Sequence, residues 1–90
     1  MNNYELIAIL DPARLDAARK SLGDIMQRHK VSKVEENDWG ERRLPHDIDK
    51  IGVGRFLCIN VKAEPERLRE FRHDLEIDSN ILRYMMKRVA

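Results

Sequence analysis

Only one cysteine, Cys58, is present, so the chain cannot close an internal disulfide, and a reducing compartment is expected. Long apolar runs are missing too: none approaches the roughly 20 residues needed to span a bilayer. The opening Met1-Asn2-Asn3-Tyr4-Glu5 lacks the basic start of a secretory leader. An intracellular, soluble protein without a membrane partner is therefore expected. Glycine and proline are sparse, at four and three residues, and no repeat, linker or low-complexity segment interrupts the chain. Net charge is almost absent, because 17 basic residues face 16 acidic ones for a formal +1. Long-range attraction to nucleic acid is weak at that balance, so any such binding must work through local patches.

What remains is a small core under a heavily charged surface. Ninety residues, 42% apolar and 37% charged, suit one domain spanning residues 1–90. The charge is unevenly distributed. Residues 64 to 78 carry six acids against three bases, whereas residues 81 to 90 carry Arg83, Lys87 and Arg88 and no acid.

Periodicity then orders the chain. The isoleucine- and leucine-rich run Tyr4 to Leu10 predicts a first strand. Asp11-Pro12 ends it with a helix start, an aspartate at the cap and a proline in the first turn. Leu15, Ala18, Leu22, Ile25, Met26 and His29 recur at spacings of three and four, predicting a helix over about residues 12 to 30. Val31, Val34 and the stretch through Trp39 to Ile48 predict a long second strand, bulged near Asp38-Trp39-Gly40. Asp49-Lys50-Ile51-Gly52-Val53-Gly54 reads as a flexible turn before a third strand, Arg55 to Ala63. Alternation there sets Leu57, Ile59 and Val61 on one face and Phe56, Cys58 and Asn60 on the other. Glu64-Pro65 starts a second helix with the stripe Leu68, Phe71 and Leu75. Asp78-Ser79-Asn80 turns the chain into a last strand, Ile81 to Val89. The order β-α-β-β-α-β predicts a ferredoxin-like α+β fold, a four-stranded antiparallel sheet with two helices on one face.

Catalytic chemistry needs converging groups, and the sequence offers few. His29, His46 and His73 lie far apart without metal-ligand spacing, so they read as scattered surface histidines, and neither a metal nor another cofactor is expected. Cys58 sits mid-strand as a small, partly buried thiol rather than a nucleophile. Glu66, Arg69, Glu70 and Asp74 alternate as a solvated helix face does. Acylphosphatase-type enzymes share this element order but use an arginine in a glycine-rich phosphate cradle after strand one. Leu10-Asp11-Pro12 is acidic there, and Gly52-Val53-Gly54-Arg55 has no helix N-terminus behind it. No enzyme is expected.

Cations beside aromatics give the more coherent signal. Arg42, Arg43 and His46 follow Trp39, and Lys50 and Arg55 flank the next hairpin. Arginine grips phosphate with a planar fork, and aromatic planes stack on exposed bases. Arg83, Lys87 and Arg88 near Tyr84 form a second candidate patch, and Tyr4 is a weaker candidate. The apolar side chains Ile7, Ile9, Phe56 and Cys58, on the face away from the helices, are candidates for packing on a protein partner. From composition alone, the plainer reading is a solubilising surface with Trp39 as a core anchor.

Four segments, in order, resemble bacterial-type small-subunit ribosomal protein six. They are Tyr4-Glu5-Leu6-Ile7-Ala8-Ile9-Leu10-Asp11-Pro12; Trp39-Gly40-Glu41-Arg42-Arg43-Leu44; Ile48-Asp49-Lys50 with the glycine turn and Arg55-Phe56-Leu57; and Asp78 through Lys87. The resemblance spans essentially the whole chain and implies a structural role without covalent chemistry. It further implies binding to the central domain of small-subunit ribosomal RNA together with ribosomal protein eighteen, and to a leader of the protein's own messenger RNA with that partner. It places the protein on the cytoplasmic ribosome, or an organellar one. Pro45-His46 stands where the family often has Ala-Tyr, so no stacking tyrosine carries over. The helix-one region is several residues shorter than in familiar members, and no C-terminal extension follows Ala90. The competing expectation on the same fold is a small-ligand-sensing regulatory module, which would need a glycine-rich or polar pocket at the turn after strand one.

Overall fold

The computed structural model describes residues 1–48 and 50–89. Six main elements follow one another: β1 (Asn2–Leu10), α1 (Leu15–Arg28), β2 (Ser32–Ile48), β3 (Ile51–Ala63), α2 (Leu68–Ile77) and β4 (Ile81–Val89). The strands pair antiparallel in the order β2-β3-β1-β4. Both helices cover one face, which makes the fold ferredoxin-like, as the order of elements predicts.

Each helix is entered through a single 3₁₀ turn begun by proline, Pro12–Arg14 before α1 and Pro65–Arg67 before α2. Asp11 caps the first as expected, its carboxylate accepting from the Ala13 N–H at 3.0 Å. At the far end of α1, Lys30 occupies the left-handed region at φ 56°. The Lys30 N–H donates to the Gln27 carbonyl and the Val31 N–H to that of Met26, a pair of bonds that closes the helix.

Alternation along the strands builds the core. Tyr4, Leu6, Ala8 and Leu10 of β1 and Leu57, Ile59, Val61 and Ala63 of β3 point toward the helices. There they meet Ala18, Leu22, Ile25 and Met26 of α1 and Phe71 and Leu75 of α2. Burying each large apolar side chain contributes roughly 1.5–3 kcal/mol, so this layer fixes which face the helices cover.

His29 is not a surface histidine. It is 9% exposed, meets the Phe71 ring edge-on, and its Nε2 lies 2.6 Å from Asp74 Oδ2. Arg28 donates to the same oxygen at 2.9 Å. Asp74 therefore departs from the solvated helix face expected of it and joins α2 to the end of α1. The hydrogen bond from His29, then that from Arg28, holds the Asp74 carboxyl below its ordinary value. A carboxyl depressed in the folded state stabilises the protein above its unfolded pKa, and that contribution fades as pH falls through the lowered value. Asp74→Asn should accordingly flatten the loss of stability expected of the wild type as pH falls through the carboxylate range. Urea midpoints across the acid range test this, and coincident pH profiles for the two proteins would refute it.

The hairpin differs from its expected form. Ile51 to Gly54 belong to β3 rather than to a turn, and Lys50, at φ 67°, stands just before that strand; Asp49, part of the expected turn, lies outside the described residues. Neither Gly52 nor Gly54 has a positive φ. Gly54 is glycine because of packing. A Cβ there would sit 2.4 Å from Ile9 Cγ2 and 3.4 Å from Leu44 Cδ2. Gly54→Ala should therefore cost about 1–3 kcal/mol through overpacking. Denaturant unfolding measures this directly, and an unchanged midpoint would mean that Ile9 yields freely.

Edge strand β2 carries every register shift of the β2–β3 pair. Val34 and Trp39 are each an extra residue opposite β3, and a third irregularity spans Leu44 to Asp47. Bulges, charges and Pro45 along this edge discourage pairing with another chain.

A candidate nucleic-acid interface on the open face

The register of the four strands arranges the uncovered face in rows. One row runs Gly40, Phe56, Ile9, Arg83; the next runs Asn37, Cys58, Ile7, Met85; a third runs Glu35, Asn60, Glu5, Lys87. Arg42 faces Gly54 beyond the first row, toward the hairpin. Charge therefore changes along the face. The hairpin end is cationic, the middle is apolar, and the opposite end carries Glu5 and Glu35.

Of the residues expected to meet RNA, Arg42, Arg43, His46 and Lys50 are all exposed on the β2–β3 hairpin, Arg42 on the open face and Arg43, opposite Val53, on the helix side. Among the described residues, no carboxylate lies within ion-pair reach of Arg42, Arg43 or Lys50. Arg42 instead places its guanidinium 5.7 Å from the centroid of the Trp39 ring. Trp39 is 43% exposed, so it is not the core anchor that composition suggested.

Arg55 is engaged differently. Its Nε and Nη2 donate to Asp38 Oδ1 and Oδ2 at 2.9 and 2.6 Å, and Glu41 stands 3.7 Å from Nη1. Asp38 also accepts from the Gly40 N–H at 2.9 Å and from Arg19 of α1 at 3.1 Å. The Arg55 hydrogen bond, followed by that from Gly40, lowers the Asp38 carboxyl to about 2. This hub was missed at the level of sequence. Its local signal is Asp-x-Gly, the spacing at which an aspartate accepts from the N–H two residues on.

The second patch divides between the two faces. Arg83 and Lys87 stand on the open face opposite Ile9 and Glu5, and Lys87 Nζ is 3.9 Å from the Glu5 carboxylate. Arg88 pairs with Tyr4, whose side chain enters the core, so Arg88 belongs to the helix side. Tyr84 also faces the helices and donates its hydroxyl to Glu76 at 2.8 Å, while Tyr4 is buried.

The four apolar residues expected to meet a partner are not equally available. Ile9 and Cys58 are already buried by the chain itself, and Ile9 and Leu44 both close over Gly54. Burial, and after it the negative charges of Glu5 and Glu35, pushes the Cys58 thiol up, away from nucleophilic character. Ile7 and Phe56 are half-buried, and Met85, which the sequence did not single out, is 49% exposed beside Ile7.

A ligand-sensing pocket finds little support at the turn after β1. The Asp11 carboxylate is engaged by Ala13, and its N–H donates to the Asn80 carbonyl at 3.1 Å. A groove of about 480 Å³ does lie between α1 and β2, floored by Leu22, Met26, Leu57 and Ile59. Arg19, Lys33 and Glu36 on its rim are already paired to one another.

Known proteins resemble this chain along almost its whole length. The family described as ribosomal protein S6 matches residues 3–88. The small ribosomal subunit protein bS6 of Clostridium novyi is 34% identical over 90 residues, covering 96% of this chain and 95% of its own. That of Leptospira biflexa is 25% identical over 88 residues, covering 98% and 97%. Among solved structures, 30S ribosomal protein S6 from Thermotoga maritima superposes with a TM-score of 0.82 at 18% identity, over 98% of this chain and 87% of its own. The C-terminal domain of the MgtC protein from Mycobacterium tuberculosis reaches 0.67 at 11% identity, over 99% of this chain and 88% of its own, a likeness of fold alone. The chain belongs to the ribosomal protein S6 family of bacterial small-subunit proteins, and is a structural, non-enzymatic part of the cytoplasmic ribosome.

Proposed function

We propose that the chain binds the central domain of small-subunit ribosomal RNA as a pair with ribosomal protein eighteen, and binds a leader of its own messenger RNA through the same pair. Arg42, Arg43 and Lys50, with His46 beside them, take phosphates at the hairpin, and Arg83 extends that end across the sheet. Lys87 and Arg88 lie farther off and contribute less. Arg55 holds the hairpin in shape through Asp38 rather than meeting RNA itself. Ile7, Phe56 and Met85 offer the partner protein an apolar band, with Ile9 and Cys58 as the packed floor beneath it.

The supporting observation is the change of character along the open face, from the exposed Arg42 and Arg83 at the hairpin end to apolar side chains in the middle. Phosphate contacts position a protein without reading sequence, so a compact cationic edge suffices when a partner completes the surface. The near-neutral total charge fits that need for a partner. Cosedimentation with small subunits after a high-salt wash tests the reading. The chain should travel with subunits that contain protein eighteen and largely leave those reconstituted without it. Equal retention in both cases would remove the partner from the account, and no retention in either would remove the ribosomal RNA.

A further inference from the structure

Trp39 is the only tryptophan of the chain, yet it is among the exposed large apolar residues. At 43% exposure it leaves nearly half of a large aromatic surface in water, which forgoes part of its apolar stabilisation. Its position is not slack. Trp39 is the extra residue between the pairs Asp38–Leu57 and Gly40–Phe56, and Gly40 makes the bulge possible at φ 83°. Asp38 accepts from the Gly40 N–H just beyond the tryptophan, from Arg55 of β3 and from Arg19 of α1. Three separate parts of the fold thus converge on the residue before Trp39. The result is a braced backbone beneath a partly exposed indole at the sheet edge, with the Arg42 guanidinium beside its ring and Arg43 next along the strand.

From this geometry we propose that Trp39, held out by the Asp38 hub, is a stacking site for an unpaired RNA base whose adjoining phosphate meets Arg42. This deepens the RNA-binding reading above and rests on it. Surfaces that bind single-stranded nucleic acid combine an aromatic plane with neighbouring cations, whereas the buried centre of a protein interface is depleted of charge. Arg42 suits both halves of the task, since a guanidinium lies flat against an aromatic ring and keeps outward N–H groups for phosphate. A base inside a duplex has both faces covered and cannot stack here, so the ligand is an unpaired nucleotide in a loop, bulge or junction.

Because Trp39 is unique in the chain, its emission reports on the site. The full chain is titrated with a central-domain ribosomal RNA fragment in the presence of protein eighteen, in parallel with Trp39→Phe, whose signal is subtracted as background. Saturable quenching by the fragment is expected, and none by a perfect RNA duplex of equal length. Trp39→Leu should weaken binding about tenfold, the loss typical of one stacked base, while Trp39→Phe, which keeps an aromatic plane, should bind nearly as the wild type does. Asp38→Asn should weaken binding as well, and combining it with Trp39→Leu should add little, because both act on one contact. A merely structural Asp38 would give additive losses. Should Asp38→Asn fail to fold, the two tryptophan variants still decide the matter. Wild-type affinity in Trp39→Leu with unchanged emission, or equal quenching by duplex, overturns the stacking site and leaves the RNA-binding reading standing. Absence of binding by the wild-type pair overturns both.

Discussion

Phe71→Ala should cost about 3–5 kcal/mol, the usual range for emptying a buried phenylalanine site. Phe71 has no exposed surface and is among the largest fully buried side chains of the described residues. It sits where α2 meets the sheet, and its ring takes the edge of His29 from the end of α1. Loss of the ring therefore loosens both helices and strips His29 of one neighbour. Surrounding groups cannot simply close the gap, since the sheet beneath it is fixed by strand pairing. Domains of this size hold roughly 5–15 kcal/mol in all, so the variant would stand near the edge of folding. Thermal unfolding followed by circular dichroism should show a midpoint lowered by on the order of 20 °C. A fall of only a few degrees would mean that the core repacks far more readily than its geometry implies.

The second large effect concerns binding. Replacing both Arg42 and Arg43 by alanine should weaken association with the central-domain RNA about 10- to 100-fold at moderate salt. The two side chains project from exposed positions on β2, so their removal should leave stability almost unchanged. Two lost phosphate contacts should also make the logarithmic salt slope shallower by roughly 1.5–2. Filter binding by the pair of proteins across a salt series reads both quantities at once. The loss should be similar for any RNA the pair binds, because phosphate contacts carry no sequence information. Arg55→Ala offers a useful contrast. Arg55 is tied to Asp38 and Glu41, so its loss should disturb the hairpin and lower stability while changing the salt slope little. An unchanged slope in the double arginine variant would place the RNA elsewhere on the molecule.

Most of the fold was legible because periodicity is a local signal. The stripe from Leu15 to His29, the alternation from Leu57 to Val61 and the Asp-Pro helix start each needed only neighbours in sequence, and each appears as expected. The glycines of β3 misled because a glycine signals turn geometry and tight packing alike. Only the fold brings Ile9 and Leu44 over Gly54 and shows which cause applies.

Pairings between distant residues were illegible for a different reason. His29 and Asp74 lie 45 residues apart, and Asp38 and Arg55 lie 17 apart. No member alone signalled its partner, and only folding turned the pairs into an interhelical tie and a hairpin lock. The candidate site was partly readable. The clustering of Arg42, Arg43, His46 and Lys50 is sequential, so the hairpin patch could be named beforehand. The division of Arg83, Lys87 and Arg88 between two faces depends on strand register relative to the helices, which alternation alone does not assign to one side or the other.

Photo-crosslinking of the two-protein complex to central-domain RNA, with mapping of the attached peptides, tests the central claim most directly. Attachments are expected between Trp39 and Lys50, with further ones near Arg83, while contacts to protein eighteen fall on Ile7, Phe56 and Met85. Attachments confined to the outer surfaces of α1 and α2, with the hairpin untouched, would contradict it.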